Sequence, residues 1–291
     1  MLVVPVPGDL PVECRDVTAV LEGIAAITFD FGNTLVPVSR AALGGVVGHT
    51  ADAICTRFPE FDRTSFLATW AEERERQFRE DVPQFREVDL AERLLRVFAR
   101  LRGVAAPARD ERWDDALTAG HAEPAVIDWA VETYSRAFVD ALPETPGVGD
   151  LLARLARDRG LAIVSNWPLA ATIDQYAEAR GWMPYLRAIV VSQRVGTIKP
   201  RPAIFEAARL ALGSPEPSAI LHVGDDWAAD VVGAHDAGWR TAWISSRPDD
   251  SPLPSGERDS SIAADLELRG LDELESHLGA PIGPPRPAAA R

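Results

Sequence analysis

ITFDFGNTLV, residues 27–36 of the 291-residue chain, passes from a β-prone apolar run into one carboxylate, Asp30, and then into small turn-forming residues. A strand that ends in Asp and leaves through Gly and Asn-Thr is an ordinary exit from a sheet, and Asp30 then serves only the turn. The alternative is a reactive carboxylate on the rim of a sheet. It requires other strand ends to bring complementary groups to the same place.

Beyond residue 36 the apolar spacing becomes helical. Leu90, Leu94, Val97, Phe98 and Leu101 share one face that stops at Gly103, and a second face runs from Val126 to Ala141. With residues 41–57 and 63–80 this predicts about four helices, and no strand, between residues 37 and 143. After PETPGVG (143–149) the pattern alternates: strands at 161–165, 188–192, 219–223 and 239–245 are separated by helices near 148–159, 169–180, 202–212 and 228–237. Alternation of this kind predicts right-handed crossovers and an α/β fold, a Rossmann-like three-layer sandwich around a central parallel sheet, with residues 24–29 as its first strand. Residues 1–36 and 144–279 would form a discontinuous core, 37–143 an inserted helical unit, and 280–291 a disordered Pro/Ala-rich tail.

Ligands bind such sheets beyond the carboxyl ends of the strands, and the ends here carry chemistry. IVSNWP delivers Ser165 and Asn166, a hydroxyl with backbone N–H groups suited to an anion. Lys199 precedes a proline and a helix, and it is the only lysine among 30 Lys and Arg residues. A compact ammonium is not interchangeable with a guanidinium fork, so its retention invites a chemical reason. HVGDDWAAD turns at Gly224 and offers Asp225, Asp226 and Asp230. Several carboxylates converging on one rim repel unless a cation joins them, and Mg²⁺ suits a set of oxygen ligands completed by a phosphate.

The order DFGNT, SN, KP, GDDxxxD resembles the four-motif signature of the haloacid dehalogenase superfamily, in the branch with a helical cap inserted after the first motif, over about residues 24–275. The resemblance implies that Asp30 is a nucleophile forming an aspartyl intermediate and that Thr34, Ser165 and Asn166 hold the transferring group. It implies that Lys199 bridges Asp30 and the substrate. Mg²⁺ would be held by Asp30, Asp225, the backbone carbonyl of Gly32, and Asp230 directly or through water. Asp226 falls in a supporting or surface position.

One position departs from the pattern. Most phosphatases of this superfamily carry a second Asp two residues after the nucleophile, as general acid and base, and here Gly32 stands there. General acid–base help is worth about 10² to 10⁴ in rate. Three readings follow: a Mg²⁺-dependent phosphohydrolase of a small phosphorylated metabolite that uses a good leaving group or a borrowed acid, a catalytically weak relative that binds a ligand or partner, and a metal-independent 2-haloacid dehalogenase. His49 and Asp52 on the first cap helix are candidates for the borrowed group. A cap-lysine Schiff base is excluded, because residues 37–143 contain no lysine.

The remaining features read blandly. Trp167 and Trp227 read as packing, His222 as a core hydrogen-bonding group, His235 as exposed, and EERERQFRED (72–81) as a solvated helix face. Two cysteines, Cys14 and Cys55, are too few for a disulfide framework. A formal charge of −14 argues against nucleic acid, the absence of a long apolar run argues against a membrane, and the acid- and Pro-containing start argues for a cytoplasmic protein.

Overall fold

A computed structural model of the chain describes residues 20–280. Six strands form one fully parallel sheet in the order β3-β2-β1-β4-β5-β6. They are β1 (Ala26–Phe29), β2 (Gly160–Ser165), β3 (Ala188–Val191), β4 (Ile220–Gly224), β5 (Arg240–Ile244) and β6 (Leu266–Leu268). Every residue of β1, β2 and β4 is buried, as continuous apolar runs covered on both faces must be. The order reverses at β1, between β2 and β4, and that switch point is where open α/β sheets form their crevice.

Between β1 and β2 lie α1 (Arg40–Arg57), α2 (Arg63–Glu80), α3 (Leu90–Leu101), the single turn α4 (Asp115–Thr118) and α5 (Pro124–Ala141). Local chemistry starts them. Ser39 Oγ accepts from the N–H of Ala42 at 3.1 Å, Asp62 Oδ2 from Ser65 at 2.7 Å and Asp89 Oδ1 from Glu92 at 3.0 Å, and Pro124 opens α5. The crossovers of the sheet contain α6 (Val148–Leu155), α7 (Ala170–Ala179), the short α8 (Ser192–Val195), α9 (Pro202–Ala211) and a wide turn, Trp227–Val232, that continues into α10 (Gly233–Asp236).

One apolar core runs from the sheet into the helical segment. Phe31, between Asp30 and Gly32, is its pivot: the ring is fully buried and meets Tyr176 at 5.3 Å, Trp167 at 5.5 Å and Phe138 of α5 at 6.2 Å. Anchoring Phe31 inward leaves the residues on either side facing the rim. Burying such a ring contributes about 1.5–3 kcal/mol, so the turn is fixed by packing rather than by its own hydrogen bonds alone.

Two expectations are corrected. A sixth strand, β6, pairs with β5 after a long loop, 245–265; three residues give too short a pattern to be read as a strand. The 72–81 face is only partly solvated. Glu73 and Gln77 are fully buried, because Glu73 is shared by Arg100 at 2.8 Å and Trp113 Nε1 at 2.9 Å, while Gln77 bonds Arg93 and the carbonyl of Asp89. Charge there is neutralised by partners in α3 and its flanks rather than by water. The tail from Gly283, and Cys14, lie outside the described residues.

Candidate active site

Parallel register brings the strand ends together. Phe29 stands opposite Ile163 of β2 and Val223 of β4, so Asp30 emerges beside the Ser165 and Asp225 ends of its two neighbours. The N–H of Asp30 donates to the Val223 carbonyl at 2.8 Å and ties the carboxylate to that rim.

Lys199 reaches in from the loop after α8. Its Nζ donates to Asp30 Oδ1 at 2.7 Å, Asp230 Oδ1 at 2.6 Å and the Val164 carbonyl at 2.8 Å, so all three protons are used by a side chain only 2% exposed. Burial pushes this ammonium down, but Asp230 and Asp30 outweigh it and hold it above its ordinary range. Asp30 moves up to about 6 because burial outweighs the pull of Lys199. Asp230 ends below its ordinary range: burial raises it, and Lys199 and His222 more than offset that. His222, buried and shifted down by burial, spans Thr28 Oγ1 at 2.8 Å and Asp230 Oδ1 at 3.1 Å, while the other oxygen of Asp230 accepts from the Asp226 N–H at 2.9 Å. Asp230 is thus fully engaged by protein donors. Gly224 is obligatory beside it, since a Cβ there would lie 2.2 Å from the Asp230 carboxyl.

Asp225 is held only by long contacts. Asn33 Nδ2 donates at 3.3 Å, Thr34 Oγ1 at 3.5 Å, and Arg247 from the 245–265 loop stands 3.2 Å away. Asn33 reaches it from a left-handed backbone (φ 58°), a conformation that Asn tolerates better than most residues. Burial, then the charges of Asp30 and Asp230, push Asp225 up to about 8. Oxygens of Asp30, Asp225 and Asp230 lie within 4.8 Å of one another. Three buried carboxylates held this close, one of them that strongly disfavoured as an anion, fit a hard divalent cation with oxygen ligands.

Asn166 clamps the lysine's backbone: its Oδ1 accepts from the Lys199 N–H at 2.7 Å and its Nδ2 donates to the Lys199 carbonyl at 3.1 Å. The hydroxyl of Ser165, 1% exposed, has no hydrogen-bond partner among the described residues. A buried hydroxyl without a partner costs about 1–3 kcal/mol, which a ligand oxygen would recover. Asp226 faces its own turn, accepting from Ala229 at 2.8 Å and from Gly256 of the long loop at 2.9 Å.

Gly32 lines the cleft, and its backbone does not demand glycine, for its φ is not positive. Space is tight rather than closed: a Cβ at 32 would lie 2.6 Å from Leu253 Cδ1, the end of a side chain that would have to turn aside, and 3.4 Å from Trp167. Leu253 of the 245–265 loop therefore fills the space that a side chain at 32 would use. Neither expected substitute acid reaches the cleft; His49 is exposed, and Asp52 is exposed and paired with Arg63 at 2.5 Å, because both sit on the solvent side of α1. Trp227 packs against Trp243, whereas Trp167 both packs on Phe31 and walls the cavity. His222 is the core group expected, with the added task of holding Asp230.

Sequence reasoning missed the loop that covers the rim. It bonds Asn33 through Ser251 (3.0 Å), α1 through Asp250 to the Arg40 N–H (3.2 Å), and α2 through the Pro252 carbonyl to Arg74 (3.0 Å). Under it and the helical segment a cavity of about 360 Å³ adjoins the carboxylate cleft and shares Asn166, Lys199, Asp226 and Leu253 with it. A proline-rich, aperiodic stretch carries no sequence signal for such a position.

The parallel sheet thus carries a carboxylate–lysine cluster at its switch point, where open α/β sheets bind their ligands. Residues 24–238 match the model of the haloacid dehalogenase-like hydrolases, and the chain belongs to that family. It is 28% identical over 170 residues to the pyrimidine 5'-nucleotidase YjjG of Escherichia coli (strain K12), covering 58% of this chain and 69% of that one. It is 30% identical over 167 residues to the phosphoserine phosphatase of Thermus thermophilus, covering 47% of this chain and 66% of that one. Across the matched curated relatives the chain spans 47% to 69% of their length. Among solved structures, a 2-haloacid dehalogenase from Pseudomonas syringae pv. Tomato DC3000 superposes with a TM-score of 0.61 at 24% identity, over 87% of this chain and 97% of that one, a likeness of fold. Among the described residues no helix is long and apolar enough to cross a membrane.

Proposed function

We propose that the protein is a Mg²⁺-dependent phosphohydrolase of a small phosphorylated metabolite, working through an aspartyl phosphate on Asp30. The observation that carries this reading is the trio Asp30, Asp225 and Asp230 within 4.8 Å, beside a lysine whose protons are all committed. A dehalogenase needs no cation, and Asp225, pushed up by Asp30 and Asp230, would then have only Arg247 to balance it beside an anionic substrate. The curated relatives named above, a nucleotidase and a phosphatase, point the same way.

Asp30 and Asp225, with the Gly32 carbonyl, would hold the ion; Asp230, already engaged by Lys199, His222 and the Asp226 N–H, would support it from behind. The ion supplies charge neutralisation at the phosphoryl oxygens. Lys199 holds Asp30 through Oδ1 and leaves its other oxygen to attack phosphorus, while its positive charge lowers the repulsion between two anions. The P–O bond to the leaving group breaks as the Asp30–P bond forms, and the departing oxygen keeps the electron pair. Ser165 Oγ and the backbone near Asn166 receive the phosphoryl oxygens. Water then attacks the acyl phosphate, returning the Asp30 carboxylate and inorganic phosphate. With Gly32 giving no proton, leaving groups stable as anions, aryl and acyl phosphates, depart fastest. The segment 37–143 acts as a cap that closes the cavity, selects the substrate and limits water.

The test is phosphate release from aryl, acyl and alkyl phosphates, with Mg²⁺ and with chelator, for the wild type and Asp30→Asn. Metal-dependent release that Asp30→Asn abolishes is expected. Turnover surviving Asp30→Asn, or metal-independent turnover of a halo-acid, overturns the proposal. Tight metal-dependent ligand binding without any release marks a binding protein instead.

A further inference from the structure

The cavity next to the carboxylate cleft contains two arginines that no carboxylate among the described residues meets in a direct salt bridge. Arg93 of α3 is 5% exposed, and Arg74 of α2 is partly buried; neither forms an ion pair among the described residues. The Arg93 guanidinium donates from Nε to Gln77 Oε1 at 2.9 Å and lies over Trp70 at 5.3 Å, while Arg74 lies over Phe78 at 4.8 Å and gives Nη2 to the Pro252 carbonyl. These contacts aim both forks and leave donors over. Burial pushes Arg93 down to about 10 and the charge of Arg74 adds to it, while Tyr134, Glu87 and Asp89 pull the other way without offsetting it; burial shifts Arg74 in the same direction. The phenol of Tyr134, in the same wall, is pushed up to about 12 by burial against the pull of both arginines.

The carboxylates of the wall take their hydrogen bonds from other donors, and Glu87 acts on Arg93 only through its charge. Glu87 accepts from Ser192 Oγ at 2.5 Å and from the Val88 N–H at 3.0 Å, and Asp226 is taken by two backbone N–H groups. A buried cation without a partner is costly, and elsewhere this chain pairs its buried guanidiniums; Arg96 and Arg159 both have a carboxylate. The rest of the wall is apolar, with Phe78, Phe85, Ile198, Leu253 and Trp167.

We infer that Arg93 and Arg74 form an anion subsite on the cap side, and that the substrate is a phosphate ester whose apolar body carries a second anionic group, a carboxylate or a phosphate. This rests on the phosphohydrolase reading for the first phosphate, and on the cavity alone for the second anion. The 360 Å³ of the cavity are in the range of small-ligand sites.

Phenyl phosphate, 4-carboxyphenyl phosphate and 1,4-phenylene bisphosphate separate the possibilities. Phosphate release is measured for the wild type, Arg93→Met and Arg74→Met, and the three ligands are titrated calorimetrically into Asp30→Asn with and without Arg93→Met. A charge-assisted bidentate contact is expected to favour an anionic ester over phenyl phosphate by about 10- to 100-fold in kcat/KM and in affinity, with the better of the two identifying the anion. That ratio should fall toward one in Arg93→Met and part of the way in Arg74→Met. If Arg93→Met does not fold, Arg93→Lys, which keeps charge but loses the fork, should lower the ratio between those limits. Equal constants for the three esters, or a preference that persists in both folded methionine variants, overturns the subsite. A calorimetric preference lost in Arg93→Met without turnover of any ester upholds the subsite and overturns the hydrolase reading; turnover of phenyl phosphate with no preference does the reverse.

Discussion

Replacing Gly32 by Asp should restore general acid–base catalysis most fully when Leu253 is shortened as well. The new Cβ would stand 2.6 Å from Leu253 Cδ1, about 1 Å inside the ~3.5–4.0 Å contact distance of two carbons. Overpacking of this kind costs about 1–3 kcal/mol. It would also push a loop that supplies Arg247 to Asp225 and the Gly256 N–H to Asp226, so Gly32→Asp alone should lower both the melting temperature and metal affinity. Leu253→Ala removes the obstructing carbon. In Gly32→Asp/Leu253→Ala the added carboxyl enters a cluster with Asp30 and Asp225, whose like charges raise its pKa toward neutrality, where a carboxylic acid can protonate a leaving oxygen. The gain expected for an alkyl phosphate is about 10²- to 10⁴-fold in kcat, about 2.7 to 5.4 kcal/mol of barrier, with a much smaller gain for an aryl phosphate. The assay is phosphate release from methyl and phenyl phosphate in wild type, both single variants and the double, alongside thermal unfolding. A folded double variant that binds Mg²⁺ and turns over methyl phosphate no faster than Leu253→Ala would refute the reasoning, and would mean that an acid already reaches the leaving group from elsewhere.

Ser165→Ala should keep or slightly raise stability, by up to about 1 kcal/mol in chemical denaturation, since it removes a buried hydroxyl without a partner, yet it should raise KM for any ester. Lys199→Met leaves Asp30 and Asp230 without their shared cation; urea unfolding should record a loss of about 3–5 kcal/mol and the phosphate assay a loss of activity. Asn166→Ala unclamps both sides of the Lys199 peptide, and a kcat that falls while the fold survives is expected, with about 1–3 kcal/mol lost in unfolding. His222, lowered by burial, is neutral in the folded state above pH 6.5 and sheds its last protons in the unfolded chain within about a unit above that, and Asp225, raised to about 8, ionises in the folded state only at a cost. A carboxyl raised on folding gives up its stabilising contribution as pH rises, so without metal the melting temperature should fall between about pH 6.5 and 8. Mg²⁺ at 100 times its Kd should return about 2.7 kcal/mol, with its largest effect at the alkaline end.

Much of this architecture is legible in the chain because it depends on local periodicity. Four β-rich runs alternating with helical faces announce the parallel sheet, and Asp30, Lys199, Asp225 and Asp230 stand where strand ends must deliver them. Other features escape for a physical reason. β6 is three residues long, the loop that carries Arg247 and Leu253 has no period, and Arg74 and Arg93 occupy helix positions where arginine is ordinarily solvated. Whether a charge faces water or a cavity depends on what packs opposite, and α2 meets α3 and the long loop only in three dimensions. Gly32 is an intermediate case: its departure from the motif is visible in sequence, whereas the leucine that takes its space is not.

The burial of Lys199 also has a use in labelling. As the chain's only lysine, with its amine 2% exposed and all three protons engaged, it offers an acylating reagent no target on the described surface of the closed molecule. Modification of this side chain must wait until its ammonium leaves Asp30, Asp230 and the Val164 carbonyl and gives up a proton. The rate of acylation at Lys199, followed by mass spectrometry, would therefore clock the breaking of this ion-pair cluster, and a bound phosphate ester should slow that clock.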